Sequence, residues 1–320
     1  MKIVVINSNG PMGSSVVGAI VEKFGYLNAP VRNLGLNRCL LSGSNTDMGS
    51  FKQSFLKTYV FQSRKVKLGG VSMVDRDTGP SLAVIDDSRI EQEIATIKQK
   101  EFDNIAELYE TLRDAYAKAI IYKKIHFENG KHIEYTTYFD KYPTIKLYDA
   151  YIAEFGEVCF IHMHRDFVGW VESVMSQYFS GNRRWRIILL HALRSRYLEY
   201  EAKTKNCPGL HLDFESLFTS EKKQVFNKIA SSLGESASGI DWESESYDLY
   251  GKLKDYSSTF TLADAEGTYL SSGTRWFVRY CLRKRRITRI HDLVFYLFCL
   301  VDVSRFLIRK KDGNKPKIIS

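Results

Sequence analysis

The chain has 320 residues and a mass of 36.9 kDa, enough for one large α/β domain or two small ones with a sizeable core. With 44% hydrophobic residues, 13% aromatics and only six prolines, the composition excludes dominant disorder, collagen, a coiled coil and a mucin-like stalk. The net charge of +9 is concentrated at one end: Arg275 to Ser320 carries 13 basic and three acidic residues, and the preceding chain is close to neutral. Such a tail bears on partners such as phosphates, sulfates, acidic glycans or anionic lipid, not on fold.

In chain order, the β-branched run Ile3 to Ile6, bounded by Asn7 to Gly10, predicts a buried strand. Ser14 to Phe24, closed by Gly25, predicts the helix that follows. The opening run is too short for a signal-peptide core or a membrane span, which points to a cytoplasmic chain. Ile90 to Ile125 has a helical pattern and reads as an insertion over a sheet. Ile133 to Tyr138 is strand-like. Val158 to His162 predicts a parallel strand followed by a helix over Phe167 to Phe179, and Leu210 to Phe214 predicts another before a helix over Glu221 to Leu233. Strands alternating with helices argue for a three-layer α/β/α domain with a central parallel sheet. Glu235 to Ser272 is polar and reads as irregular. At the end, Arg283 to Arg286 (RKRR) precedes nine apolar residues from Leu293 to Val301, too few to span a bilayer. The domain reading is therefore 1–274, with a helical insertion at about 90–125, followed by a basic, partly apolar helical tail over 275–320.

Five widely spaced cysteines, with no CxxC pair, argue against a disulfide framework or a zinc site. His162 and His164 alternate along one strand with no carboxylate at ligand spacing and read as core or loop histidines.

Two motifs carry candidate chemistry. Asn9-Gly10-Pro11-Met12-Gly13-Ser14-Ser15 joins the first strand to the first helix, where glycines let backbone N–H groups curl around an anion and the helix N-terminus adds its positive dipole. The loop lacks the Lys of GxxxxGK[ST], which disfavours a kinase or GTPase. Its plainer reading is a strand-to-helix turn with Ser14 as a cap. The second motif places Arg165 at the carboxyl end of a parallel strand, with Ser173 eight residues later on the next helix. Ligands of open α/β sheets bind at that edge, and an Arg fork plus a hydroxyl makes a phosphate clamp. The alternative is an Arg165 ion pair with Asp166 or Glu172 at the helix start.

Together these residues resemble sulfotransferases that use 3′-phosphoadenosine 5′-phosphosulfate (PAPS). Two further segments are similar to the family's: Leu212-Asp213-Phe214-Glu215-Ser216-Leu217 with a following helix ending Ser232-Leu233-Gly234, and Lys141-Tyr142-Pro143. The four markers run in family order from residue 1 to about 234. The resemblance implies a P-loop NTPase-like sulfotransferase fold and PAPS as co-substrate, without a metal. It assigns the 5′-phosphosulfate to the loop of Gly10, Met12, Gly13, Ser14 and Ser15, and the 3′-phosphate to Arg165 and Ser173. Many members carry a Lys or Arg where this chain has Pro11, so the catalytic cation comes from elsewhere. Lys141, between the strand-like Ile133 to Tyr138 and a helix starting near Thr144, is the candidate, with a surface Lys before a helix-starting Pro as the alternative. Asp47, His126, Glu128 and His132 are candidates for the base that removes the acceptor proton. Arg275, in Ser271-Ser272-Gly273-Thr274-Arg275, falls where members often place a basic loop over the 3′-phosphate.

The implied reaction transfers a sulfuryl group to a hydroxyl acceptor, with a carbohydrate or lipid-linked glycan as the class suggested by family analogy. A divergent P-loop nucleotide or sugar kinase and a non-catalytic anion- or membrane-binding adaptor are the alternatives. The basic flanks and apolar stretch of the tail suit an interfacial helix on an anionic membrane, which would place the chain peripherally on the inner membrane face. A helix packed on the protein body is the alternative reading, and no nucleic-acid module is recognised.

Overall fold

The structure is a computed structural model, and it describes residues 1–28, 36–42, 48–53, 87–119, 130–137, 145–179, 190–219, 221–241, 246–247, 253–254 and 270–311. Strands β1 (Lys2–Ser8), β2 (Lys131–Thr137), β3 (Glu157–His164) and β4 (Leu210–Asp213) form one sheet in the order β2-β1-β3-β4. Every pairing in it is parallel. The intervening helices are α1 (Ser14–Glu22), α2 (Leu36–Ser42), α3 (Asp87–Gln99), α4 (Ile105–Ala119), α5 (Ile145–Phe155), α6 (Phe167–Phe179) and α7 (Leu190–Thr204). A 3₁₀ turn over Phe214–Phe218 leads from β4 towards α8 (Lys222–Leu233), and the chain ends with α9 (Ser272–Leu282) and α10 (Arg289–Lys311). Two short antiparallel strands, β5 (Ser246–Tyr247) and β6 (Leu253–Lys254), lie within the segment expected to be irregular.

Alternation along the strands divides the core into two layers. Val4 and Ile6 of β1, with Ile161 and Met163 of β3, join Val17 and Val21 of α1, Trp170 and Val171 of α6 and Ile229 of α8 in one cluster. Ile3 and Val5, one residue out of phase, join Leu108 and Leu112 of α4 and Leu147 and Tyr151 of α5 on the other face. The protein is therefore the α/β domain with a parallel sheet covered on both faces that the strand–helix alternation predicts. The helical stretch after residue 90 is two helices, and α4 supplies part of one core layer instead of lying over a finished one.

That layer also contains polar groups. Arg113 of α4 and Glu134 of β2 form a fully buried ion pair, and the Tyr109 hydroxyl donates to the same Glu134 Oε2 at 2.7 Å. Nearby, His132 is fully buried, its ring meets Tyr109 edge-on at 5.9 Å, and neither ring nitrogen has a hydrogen-bond partner among the described residues. Burial, reinforced by the Arg113 charge, pushes its pKa down to about 3. On β3, His162 is buried as expected of a core histidine. It contacts Asn7 and the Pro208 carbonyl, and burial lowers its pKa to about 4.

Both histidines are neutral when folded and take up a proton on unfolding below their ordinary value near 6.5. Their contribution to stability is therefore intact above pH 6.5 and declines as the pH falls towards the folded values. At pH 5 each should cost about 2 kcal/mol. Urea midpoints at pH 7.5 and pH 5 should show this loss, and His132→Phe should remove about half of the histidine-linked part. An unchanged pH dependence in the variant would overturn the assignment.

Candidate functional site

Because the strands are parallel and in register, their carboxyl ends gather Ser8, His164 and Asp213 at one edge, and the chain segments that follow meet there. After β1 the loop turns through Gly10 (φ 75°) and Gly13 (φ 87°). Gly13, not Ser14, is the N-cap of α1, and no side chain caps this end. Its carbonyl accepts from Val16 N at 3.0 Å and Val17 N at 3.2 Å, and Ser14 and Ser15 occupy the first turn, where amides have no acceptor within the helix. Met12 is turned the other way: its side chain is fully buried in the core, and its backbone N–H donates to Gly10 O at 2.8 Å.

Asn9 anchors the loop from below. Its carbonyl accepts from Trp170 Nε1 at 2.6 Å, and its Oδ1 accepts from Arg196 Nε on α7 at 2.9 Å. Asn9 is fully buried, and its Nδ2 has no acceptor among the described residues. Burying an amide donor without an acceptor is costly, so this nitrogen suits a ligand oxygen. Asn9 belongs to the loop motif but has no role of its own in the sequence reading, and Arg196 has no place in it. Arg196 sits mid-helix with no local signal that it reaches the loop.

Arg165 leaves β3 and extends back to this loop, where its Nη1 donates to the Pro11 carbonyl at 3.1 Å. Its guanidinium lies over the Phe214 ring, 4.0 Å from the centroid, and the side of the same ring packs directly against the Gly13 Cα. Three separated sequence markers thus touch one another: the glycine loop, Arg165 and the segment after β4. The carboxylates named as alternative partners of Arg165 have other roles. Asp166 caps α6 by accepting from Val168 N at 3.0 Å and Gly169 N at 3.1 Å. Glu172 accepts from Leu270 N at 2.9 Å and pairs with Arg275 at 2.6 Å. Glu215 accepts from Asp166 N, and burial raises its carboxyl pKa against the opposing pull of Arg165.

Ser173 is half-buried on α6, about 9 Å along the helix axis from its first residue. It neighbours Glu172, and so lies on the same turn as the partner of Arg275. The segment 272–282 is helical, with Ser271 as N-cap accepting from Thr274 N, so Arg275 stands on the first turn of α9 where a loop was expected. His132 is corrected as a base candidate: it is fully buried and pairs with Ile3 near the start of the strands, away from the carboxyl edge. Lys141 and the Lys141-Tyr142-Pro143 segment, Asp47, His126 and Glu128 lie outside the described residues. At the same edge His164 meets Glu201 at 3.0 Å and His211 at 2.9 Å. Among the described residues no cluster of three or more His, Cys, Asp or Glu could hold a metal ion.

No family model matches the chain, and no curated protein matches it. Among solved structures it is similar to the sulfotransferase domain from the Synechococcus PCC 7002 olefin synthase, at 11% identity over 96% of this chain and 94% of that one, with a TM-score of 0.40. It is also similar to the sulfotransferase STF1 from Mycobacterium tuberculosis H37Rv, at 9% identity over 75% of this chain and 69% of that one, with a TM-score of 0.36. Likenesses at this level concern general shape alone.

Proposed function

We propose that the chain is a sulfotransferase that moves a sulfuryl group from PAPS to a hydroxyl acceptor. The observation that carries this reading is the convergence of the Gly13 loop, the Arg165 guanidinium and Phe214 at the carboxyl edge of the sheet, next to the buried Asn9 Nδ2, which has no acceptor among the described residues. An α-helix N-terminus supplies amide donors and positive dipole to an anion, and an arginine adds charge and a planar pair of donors. In this reading Gly13, Ser14 and Ser15 face the phosphosulfate, and Arg165 and Ser173 serve the 3′-phosphate. Arg275, paired with Glu172, is assigned to the same 3′-phosphate in this reading. Arg196 adds positive charge at a loop whose own sequence has Pro11 in place of a cation, and Lys141 is the cation assigned to the transferring group.

In the reaction, the acceptor oxygen forms a bond to sulfur, and the sulfur bond to the bridging phosphate oxygen breaks. Adenosine 3′,5′-bisphosphate leaves, and the acceptor proton passes to a base. The protein orients the two reactants and stabilises charge on the sulfuryl and bridging oxygens. A hydroxyl on a carbohydrate or lipid-linked glycan is the acceptor class of this proposal.

Calorimetric titration of the full chain with adenosine 3′,5′-bisphosphate, and separately with ATP and magnesium, tests the reading. The bisphosphate should bind at ~micromolar Kd without metal, and Arg165→Ala should weaken it by about a hundredfold, with Arg165→Lys intermediate because a lysine keeps the charge but not the fork. Near-ultraviolet circular dichroism reports whether each variant keeps its fold. Binding of ATP only with magnesium, or of neither nucleotide, would overturn the proposal in favour of a kinase or an adaptor.

A further inference from the structure

We infer that the face formed by α9 and α10 is a docking surface for an anionic lipid bilayer, on which α10 lies flat. Helix α10 has two faces of opposite character. Phe295, Cys299 and Asp302 are buried against the body at 2% exposure each. Ile290, Leu293, Leu297, Val301 and Ile308 recur at spacings of three, four, four and seven, which places them on a single stripe roughly opposite. They are 72%, 58%, 53%, 49% and 61% exposed. The stripe from Ile290 to Ile308 runs about 27 Å. Isolated exposed apolar residues need no explanation, but a continuous line of five on one helix does.

The preceding helix repeats the pattern. Trp276 is 64% exposed and stacks on Tyr280 with ring centroids 5.7 Å apart, while Phe277 on the inner side stacks on Phe298 of α10. Trp276, Arg279, Tyr280 and Arg283 follow at one-turn spacings, mixing amphipathic rings with cations as helices at a membrane interface do. The Lys284 ammonium lies over the Tyr280 ring at 4.4 Å.

Charge selects the occupant. Arg279, Arg283, Arg285, Arg286, Arg289 and Arg305 are exposed, and the sequence has no acidic residue from 273 to 291. The two acids of α10 face inward. Asp292 accepts from His191 N at 3.2 Å, and Asp302 accepts from the Thr274 hydroxyl at 2.6 Å and from Ser271 N at 3.2 Å. The outward face of these helices therefore presents apolar side chains and cations. A second copy of the chain docked through the same face would bring two sets of arginines together, whereas anionic headgroups complement the cations and the acyl boundary takes the stripe. No described helix is long and apolar enough to cross a membrane, so the contact is interfacial.

Co-sedimentation of the full chain with phosphatidylcholine vesicles, with and without about a third phosphatidylserine, reads this directly. At low salt the chain should pellet with the anionic vesicles, and at about 0.5 M salt binding should drop as the arginine contribution is screened. Leu293→Glu/Leu297→Glu changes two exposed positions, should leave the urea midpoint unchanged, and should reduce partition by about tenfold or more although every arginine remains. Retention in the supernatant with anionic vesicles, or equal pelleting of the double variant, overturns the inference. A vesicle-free dimer in sedimentation velocity that the double variant returns to monomer assigns the face to a second copy and also overturns it.

Discussion

Glu134→Gln is expected to destabilise the protein by about 3–5 kcal/mol, because it leaves the Arg113 charge buried without its counter-charge. Arg113 is 1% and Glu134 0% exposed, so solvent offers neither group relief. Burial works against the guanidinium charge, yet the Tyr109 hydroxyl and the Glu134 carboxylate together hold its pKa above the ordinary arginine value. The pair joins α4 to the middle of β2, so its loss loosens the attachment of that helix to the sheet. The double replacement Arg113→Met/Glu134→Leu provides the decisive comparison. Swapping a buried ion pair for apolar groups of similar volume is often neutral or stabilising, so the double variant should recover most of what the single one loses. Equilibrium urea unfolding measures both. A single variant within about 1 kcal/mol of wild type would show that the charge is relieved by water or by movement of α4.

The elements were legible where their signal is local. Four β-branched residues between polar and glycine neighbours marked β1, and the helix expected over Phe167 to Phe179 has those bounds. The strand-like run from Ile133 marked β2, and the runs Val158 to His162 and Leu210 to Phe214 marked β3 and β4. What joins the elements was not legible. Nothing in the α4 periodicity says that Arg113 faces inward, because an arginine between Leu112 and Asp114 reads as part of a solvated face until Glu134 is brought 21 positions along the chain to meet it. The same limit applies at the site. Gly13 and Arg165 could each be nominated from strand–loop–helix grammar, since parallel strands deliver loops to a common edge. The ring between them could not, because Phe214 looked like the last residue of a strand and its contact with both is a matter of tertiary packing. Ser14 has the residue type of a helix cap, yet the left-handed turn at Gly13 takes that position and moves Ser14 into the helix. The family resemblance put a loop at Arg275, while a Ser271 cap with Thr274 three residues later starts a helix there.

Gly13→Ala should impair stability and nucleotide binding together, and Gly10→Ala provides its reference. Both glycines have φ in the left-handed region, at 87° and 75°, where an L-residue costs about 1–2 kcal/mol. They differ in what a Cβ would meet. At Gly10 nothing lies within 4 Å, so the backbone term stands alone. At Gly13 the added carbon would overlap Phe214 Cδ2, and the ring has little room to yield: Arg165 covers it at 4.0 Å, and Phe218 packs against it at 4.9 Å between centroids. Moving the ring therefore moves the guanidinium above it, and the bond from Arg165 to Pro11 O with it. Overpacking of this kind costs about 1–3 kcal/mol beyond the backbone term, so Gly13→Ala should lose about 2–5 kcal/mol of stability in urea unfolding. The affinity for adenosine 3′,5′-bisphosphate should fall by at least about tenfold, because donor positions shifted by a fraction of an ångström no longer converge on the same oxygens. Adding Phe214→Leu to Gly13→Ala removes the overlap while keeping an apolar floor, and should return stability towards the Gly10→Ala level. If Gly13→Ala matches Gly10→Ala in both measurements, Phe214 does not couple the loop to Arg165. If it is destabilised but binds the bisphosphate like wild type, the nucleotide does not sit on this loop, and the anion site proposed at the start of α1 is wrong.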